Sequence, residues 1–218
     1  HQMMLENGFV KPGGFCVASD SHSNIYGAVG AVGTPVVRTD AAAIWATGKF
    51  WWQIPPMLKV VLTGQFQPGV TGKDLILTLC SQYSNGEALN CAVEFSGPGV
   101  ANLSMDARMT ISNMTTEWGA LVGWFPCDDV TIKYYNTRLP ENINGKLSGE
   151  LIKSWKDNPL TSDEGANYAS IIELDLAEVT PHIAGPHVVQ LGTPLATVQA
   201  EKKQIHKAYL LSCVNSRL

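Results

Sequence analysis

Apolar residues recur along the chain in two alternating patterns, one typical of buried strands and one typical of helices packed on a sheet. Short apolar runs predict strands at 14–20, 57–66, 89–95, 170–176 and 207–213. Apolar residues at helical spacing predict helices at 39–47, 71–83 and 104–121, the last interrupted near Asn113. Because strands and helices alternate, the sequence predicts an α/β fold.

Turn-forming residues define where these elements end. Thr39 is a candidate N-cap for the helix at 39–47, and Gly48 is a candidate stop. The polar stretch 134–168 predicts a loop with one short helix in LSGELIKSW. Residues 180–197 contain three of the twelve prolines and predict irregular structure.

Composition and charge narrow the class of partner. The chain has 218 residues, of which 45% are hydrophobic and 16% charged, and this excludes wholesale disorder. A formal net charge of −4 gives no electrostatic case for nucleic acid. No apolar run approaches the roughly 20 residues that span a membrane, and the first ten residues lack the features of a secretory signal. We therefore expect neither a nucleic acid nor a membrane as a partner.

The cysteines and histidines give no sign of a self-contained metal site. An odd number of scattered cysteines is unlike a disulfide framework and fits a reducing compartment. The cysteines are Cys16, Cys80, Cys91, Cys127 and Cys213. No C-x-x-C occurs, and the spacing of the histidines is unlike that of zinc ligands. We expect the first three cysteines to pack as small apolar residues, and the position of Cys213 alone favours a buried thiol over a ligand or nucleophile.

A glycine run at Gly27, Gly30 and Gly33 has the spacing G-x-x-G-x-x-G. The dinucleotide-binding fingerprint is G-x-G-x-x-G, with an acidic residue about 20 positions later. The run therefore favours close packing of a helix against other backbone over nucleotide binding.

Two acidic positions are candidates for chemistry. Asp20-Ser21-His22 lies where a predicted strand meets a loop, the usual place for site residues in open α/β sheets. A capped turn is the simpler interpretation, and in an extended segment Asp20 and His22 share one face. Glu94 lies late in an apolar strand, where a carboxylate is costly to bury unless it is paired. Glu94 is either paired with a proton-sharing group such as histidine or faces water on an edge strand.

Three collinear segments resemble the aconitase family of iron–sulfur hydro-lyases. The first is HQMMLENGFVKPGGFCVASDSHSNIYGAVGAVG, the second is VEFSGPGV followed by ISNMTTEWGA, and the third is LLSCVNSR. Together they cover nearly the whole chain. Within the family, GTPVVRTDAAAIWATGKFWWQIPP is most similar to fungal homoaconitases.

The resemblance implies a domain organisation and a catalytic class. It implies truncated three-layer α/β/α domains, with residues 1–52 as the C-terminal part of domain 1. Residues 53–180 are then domain 2, and residues 181–218 are a linker and the first strand of domain 3. It also implies a lyase or isomerase that removes and re-adds water across a tricarboxylate, and thus a small-molecule substrate as partner.

Site residues follow from the same resemblance. It implies that His1 pairs with Asp20 and that His22 pairs with Glu94, as catalytic carboxylate–imidazole pairs that hold protons. It implies that Cys213 is the first of three thiolates holding a [4Fe–4S] cluster, whose open iron activates the substrate hydroxyl. The substrate-binding residues it implies are Ser21, Asn215, Ser216 and Arg217.

The sequence departs from the family pattern in several ways. The two other cluster cysteines, the upstream Asp-His element, the substrate-binding arginines and the serine base are not among the 218 residues, and Val214 replaces the usual threonine. One thiolate cannot hold the cluster, so Cys213 is a ligand only if the other thiolates come from elsewhere. We therefore expect no cluster in this chain as given, and no standard aconitase reaction from it alone.

Three functions remain open. The chain is part of a homoaconitase-like hydro-lyase completed by other segments, or a short cluster-free isomerase, lyase or cyclase of fungal specialised metabolism. In the second case we expect an apolar substrate, whose binding pocket includes Trp51, Trp52 or Trp118. The third function is that of a non-catalytic subunit or pseudoenzyme.

Assembly and location are expectations of the same kind. In the family, residues upstream of His1 complete the strands of domain 1, so without them a sheet edge or a face of the Gly27–Gly33 helix is open. This predicts either rearranged packing there or a partner that covers it, which is a homodimer or a complementing subunit. The resemblance implies a mitochondrial location, whereas the terminal Ser-Arg-Leu resembles a peroxisomal address.

Overall fold

A four-stranded parallel sheet is the centre of the fold in the computed structural model, which describes residues 1–139 and 145–211. The strands are β1 (Phe15–Ala18), β2 (Val32–Pro35), β3 (Met57–Thr63), β4 (Ala92–Ser96), β5 (Val122–Trp124), β6 (Ser170–Asp175), β7 (His182–Ala184) and β8 (Gly192–Pro194). The α-helices are α1 (Gln2–Glu6), α2 (Arg38–Thr47), α3 (Gly72–Gln82), α4 (Met105–Met114), α5 (Asp129–Asn136), α6 (Gly149–Asp157) and α7 (Leu195–Ala200). Short 3₁₀ helices occupy Ser23–Val29, Pro98–Asn102 and Leu176–Glu178. None of the helices in these ranges is long and apolar enough to cross a membrane.

The central sheet has the order β5-β4-β3-β6, and all its neighbouring strands are parallel. Alternate residues of β3 are fully buried and belong to one core with apolar residues of α3 and α4. Between β3 and β4, α3 supplies the crossover that parallel strands require. It begins with a capping box, in which Thr71 and Asp74 satisfy each other's backbone N–H groups. The predicted α/β class is thus confirmed, and its sheet is flanked by helices.

The 3₁₀ helix Ser23–Val29 is buried along its whole length and lies beside α4 and β5. Glycine allows this approach, because a side chain at Gly27 would collide with the backbone carbonyl of Gly123. A side chain at Gly33 would likewise collide with the backbone of Ser23. The glycine run therefore serves close backbone packing, as the sequence predicts.

The structure corrects the predicted ends of three elements. Helix α2 begins after Val37, so Thr39 is not its N-cap, whereas Gly48 ends it in a left-handed conformation as predicted. Helix α4 ends at Met114, so the prediction of helix to residue 121 is wrong. Strand β1 is not buried as predicted, because Phe15 is exposed and the other three residues are only partly covered.

Other differences lie in the second half of the chain. The predicted loop at 134–168 overlaps the end of α5, a helix that the sequence analysis missed, while the short helix predicted there is present as α6. The stretch 180–197 is not wholly irregular, because β7 and β8 form an antiparallel pair. The strand predicted at 207–213 is absent from its described part, residues 207–211.

Candidate functional site

A turn after β1 carries Asp20, Ser21 and His22. The backbone N–H of His22 donates to Asp20 Oδ1 at 2.8 Å, and Ser23 Oγ donates to the carbonyl of Asp20 at 2.7 Å. The capped-turn interpretation is therefore correct, and the extended arrangement of Asp20 and His22 is not found. The turn leaves three polar side chains together at the end of a strand.

His1 and Asp20 form the first carboxylate–imidazole contact. His1 Nε2 lies 2.8 Å from Asp20 Oδ1, and the other ring nitrogen, Nδ1, lies 2.9 Å from the hydroxyl of Tyr26. The His1 side chain is 10% exposed, whereas that of Asp20 is 55% exposed. The pair implied by the resemblance is thus present as a contact, with its carboxylate open to solvent.

His22 forms the second contact, but with a different carboxylate from the expected one. His22 Nε2 lies 2.8 Å from Glu117 Oε1, and His22 Nδ1 lies 3.2 Å from Ser21 Oγ. Thr116 Oγ1 donates to the carbonyl of Ser21 at 2.7 Å and ties the turn to the segment after α4. The expected pairing of His22 with Glu94 is therefore wrong in this structure.

Glu94 instead belongs to a separate buried cluster on the central sheet. Ser162 Oγ donates to Glu94 Oε1 at 2.7 Å, and the hydroxyl of Tyr168 donates to Oε2 at 2.9 Å. Lys59, the register partner of Glu94 on β3, places Nζ 3.8 Å from Oε1. The edge-strand interpretation is also wrong, because β4 lies between β5 and β3 and Glu94 is buried. Three hydrogen-bonding and charged partners offset the cost of burying this carboxylate.

Two cavities adjoin these groups. A cavity of about 600 Å³ is bounded by Asp20 and Ser21 on one side and by Arg38 at the start of α2. A second cavity, of about 440 Å³, is mostly apolar and is lined by Trp52 and Glu94 among others. The first cavity therefore lies at the His1–Asp20 contact, and the second lies at the Glu94 cluster.

Of the three tryptophans considered for an apolar substrate, only Trp52 lines the apolar cavity. Trp51 is highly exposed and is not among the lining residues. Trp118 is buried, and its Nε1 donates to the backbone carbonyl of Tyr83 at 2.8 Å.

The described cysteines do not fit a [4Fe–4S] cluster. Cluster ligands are thiolates, whereas burial raises the pKa of Cys80 to about 12 and that of Cys127 to about 11. Within residues 1–139 and 145–211, no three His, Cys, Asp or Glu side chains form a group that could hold a metal ion. The predicted ligand Cys213 lies outside these residues, as do Asn215, Ser216 and Arg217. Cys80 and Cys91 are buried as expected, and Cys16 is partly covered.

Sequence reasoning missed two residues of the site. Glu117 lies within the segment ISNMTTEWGA that carried the resemblance, so the segment was noticed but the glutamate was not. Tyr26 lies four residues after His22, immediately before the glycine run. No local pattern marks either side chain as a partner of a histidine.

Comparison with known proteins places this site in context. A family model described as the aconitase family (aconitate hydratase) matches residues 1–217. The chain is 50% identical to a mitochondrial homoaconitase of Debaryomyces hansenii over 220 residues, which are 100% of this chain and 32% of that protein. It is 51% identical over 220 residues to the mitochondrial homoaconitase of Candida parapsilosis, with the same coverage. For that of Aspergillus oryzae the identity is 49% over 231 residues, 100% of this chain and 30% of the relative. The chain thus spans about a third of the length of these curated relatives.

Proposed function

Because the chain belongs to the aconitase family, we propose that it is part of a homoaconitase-like hydro-lyase acting on a tricarboxylate. The observation that carries the proposal is a pair of imidazole–carboxylate contacts, His1–Asp20 and His22–Glu117, whose Asp20 and His22 flank Ser21 in the sequence and lie 3.9 Å apart (Oδ1 to Nδ1). The chain covers about a third of its relatives, so the activity belongs to a polypeptide or assembly that contains more than these residues. The division into 1–52, 53–180 and 181–218 is part of the same proposal.

The proposed chemistry assigns proton handling to these two contacts. Dehydration removes a proton from carbon and a hydroxyl from its neighbour, and the hydroxyl leaves as water after it receives a proton. A histidine paired with a carboxylate is suited to give that proton and to take it back during rehydration. We assign this role to His22, whose ring lies between Ser21 and Glu117. The described residues do not fit the cluster, so we derive no step through it.

Arg38 gives the proposal a substrate-binding group. It is exposed and lines the cavity beside Asp20 and Ser21, and within the described part of the chain its guanidinium has no hydrogen bond or ion pair to another side chain or to the backbone. Guanidinium groups bind carboxylates through paired charge-assisted hydrogen bonds. We therefore propose that Arg38 binds one carboxylate of the substrate, and that Ser21 contacts it nearby. Asn215, Ser216 and Arg217 remain proposed contacts from the resemblance, and Cys213 remains a proposed ligand if other thiolates complete the set.

Turnover of a tricarboxylate by the complete polypeptide tests the proposal, with Glu117→Gln as the informative variant. General acid–base catalysis contributes about 10²- to 10⁴-fold, so we expect Glu117→Gln to lower kcat at least about 100-fold. Glu94→Gln is the matched control, because it makes the same change outside the two histidine contacts, and we expect kcat to fall less than about threefold. The opposite result would return the catalytic role to Glu94 and contradict the assignment.

A cluster-free isomerase, lyase or cyclase is the second candidate, favoured by the apolar cavity beside Trp52 and Glu94. In that case Trp52→Ala and Glu94→Gln abolish turnover of an apolar substrate while Glu117→Gln does not. If no variant of these residues changes any turnover, the chain is a non-catalytic subunit.

Location and assembly are proposed on separate grounds. The relatives are named mitochondrial, and we propose the same location for this chain. A homodimer or a complementing subunit is supported by exposed apolar side chains around α2, including Trp45, Trp51 and Ile54.

A further inference from the structure

His1 is held by two hydrogen-bonding groups on opposite ring nitrogens. Asp20 Oδ1 lies 2.8 Å from Nε2, and the Tyr26 hydroxyl lies 2.9 Å from Nδ1. The two rings also form an edge contact, with centroids 5.2 Å apart and an interplanar angle of 61°. From this arrangement we infer that Tyr26 is a positioning residue, which keeps Nδ1 of His1 as a hydrogen-bond acceptor and so holds the ring proton at Nε2, against Asp20.

The direction of each hydrogen bond follows from the donors available. An ionised carboxylate only accepts hydrogen bonds, so the Nε2 of His1 carries the proton that faces Asp20. In its neutral form the imidazole has one N–H, and Nδ1 is then the acceptor. Tyr26 is the donor that this nitrogen needs. Burial, together with Cys16 and Asp20, raises the pKa of Tyr26 to about 12, so the hydroxyl keeps its proton throughout the physiological range.

The fold holds Tyr26 firmly enough for this role. The residue lies in the 3₁₀ helix Ser23–Val29 and is almost completely buried. Its backbone and Cβ pack directly against Gly33, where any side chain would require Tyr26 to move. The tyrosine hydroxyl therefore approaches His1 from a fixed part of the core, whereas Asp20 approaches it from an exposed turn.

The role of Tyr26 in turnover rests on the proposed function, but its effect on the ring of His1 does not. With Nδ1 occupied, the mobile proton of His1 lies on the side of Asp20, whose exposed carboxylate lines the cavity of about 600 Å³. The alternative tautomer turns a lone pair toward the carboxylate and leaves the Tyr26 hydroxyl facing an N–H donor. Tyr26 thus strengthens the preference for the Nε2–H tautomer of His1 beyond what Asp20 alone provides.

Nitrogen-15 NMR of the imidazole of His1 tests the inference directly, since protonated and unprotonated ring nitrogens have well-separated shifts. In the unmodified chain we expect Nε2 to be protonated and Nδ1 to be unprotonated and hydrogen-bonded. The net worth of one neutral hydrogen bond corresponds to a two- to tenfold change in an equilibrium, about 0.5–1.5 kcal/mol. We therefore expect Tyr26→Phe to lower the ratio of Nε2–H to Nδ1–H tautomers about two- to tenfold and to shift the Nδ1 resonance.

Tyr135→Phe is the matched control. The hydroxyl of Tyr135 is also buried and donates a hydrogen bond of 2.9 Å, to the carbonyl of Val10, so its removal has a similar structural cost. We expect this control to leave the His1 tautomer ratio unchanged. An unchanged ratio in Tyr26→Phe, or an Nδ1–H tautomer in the unmodified chain, would overturn the inference.

The tautomer of His1 in the unmodified chain is measured without any variant, so it tests the inference even if Tyr26→Phe does not fold. Because neither measurement needs turnover, failure of the proposed hydro-lyase activity is seen separately. If the unmodified chain has the Nε2–H tautomer but kcat is unchanged in Tyr26→Phe, Tyr26 has no role in the reaction, and the proposed hydro-lyase activity is unaffected.

Discussion

The contact between His22 and Glu117 has a measurable energetic signature. A hydrogen bond to a charged group contributes about 1.5–3 kcal/mol to stability. The two side chains are 22% and 26% exposed, so solvent screening favours the lower end of that range. We predict a coupling free energy of about 1.5 kcal/mol between these two positions.

A double-mutant cycle isolates this term from the other contacts of each residue. The free energy of unfolding in urea is measured for the unmodified chain, for His22→Ala, for Glu117→Ala and for the double variant. A second cycle pairs His22→Ala with Glu94→Ala. Because Glu94 contacts Ser162, Tyr168 and Lys59 instead, we expect a coupling below about 0.5 kcal/mol in that cycle.

The two cycles distinguish the pairing of His22 with Glu117 from its pairing with Glu94, because each pairing predicts a large coupling free energy in only one of them. A coupling below about 0.5 kcal/mol for His22 and Glu117, or a larger one for His22 and Glu94, would refute the pairing found in the structure. It would also remove the basis for naming Glu117, in place of Glu94, as the carboxylate partner of His22.

Three further predictions concern stability in urea. Asp128→Ala strips the fully buried Arg108 guanidinium of two hydrogen bonds, of 2.7 and 2.6 Å, and removes the N-cap of α5. We expect a loss of about 4 kcal/mol. Burial raises the pKa of Cys80 from 9.0 to about 12. The protonated Cys80 thiol therefore contributes fully to the free energy of unfolding below pH 9. This contribution is lost as the pH rises toward 12, at up to about 1.4 kcal/mol per pH unit, because the unfolded chain releases the proton first. Gly27→Ala, which forces a side chain into the backbone of β5, is expected to cost about 3 kcal/mol.

Each of these three has a matched control. Arg108→Met leaves a partly exposed carboxylate that still caps α5, so it should cost less than half as much as Asp128→Ala; equal losses would contradict the argument from burial. In Cys80→Ala the alkaline fall in stability should be shallower by about 1 kcal/mol per pH unit, and an unchanged slope would place the effect elsewhere. Gly149→Ala, at a position with open space and ordinary φ, should change stability by less than about 1 kcal/mol.

Elements whose signals are local were predictable from the sequence. Helix α3 is an example, because Thr71 and Asp74 form its capping box and its apolar spacing matches the buried face. Strand β3 is another, with its β-branched residues and alternating burial. In both cases the residues that define the element lie within a dozen positions of one another.

The site was less predictable, because its contacts join distant positions. His22 and Glu117 are 95 residues apart, and the segment carrying Glu117 leaves the helix three residues earlier, at Met114. The apolar spacing through Trp118 favoured a helix that continued, but Thr115 caps α4 and Gly119 adopts a φ of 95°, which closes a turn. A continuous helix and a turn place Glu117 in different directions. Only the tertiary fold decides between the two glutamates.

The order of strands in the central sheet also affects how the chain is made. Strand β6 pairs with β3, its partner about 110 residues earlier, and Glu94 receives hydrogen bonds from Ser162 and Tyr168, which also come late. At about 5–20 residues per second, synthesis leaves one edge of β3 uncovered for roughly 5–20 s. During that interval a nascent chain exposes a strand edge and a carboxylate without its final partners. Translation speed across residues 64–170 and chaperone binding at the open edge of β3 thus become determinants of yield, separate from the stability of the finished fold.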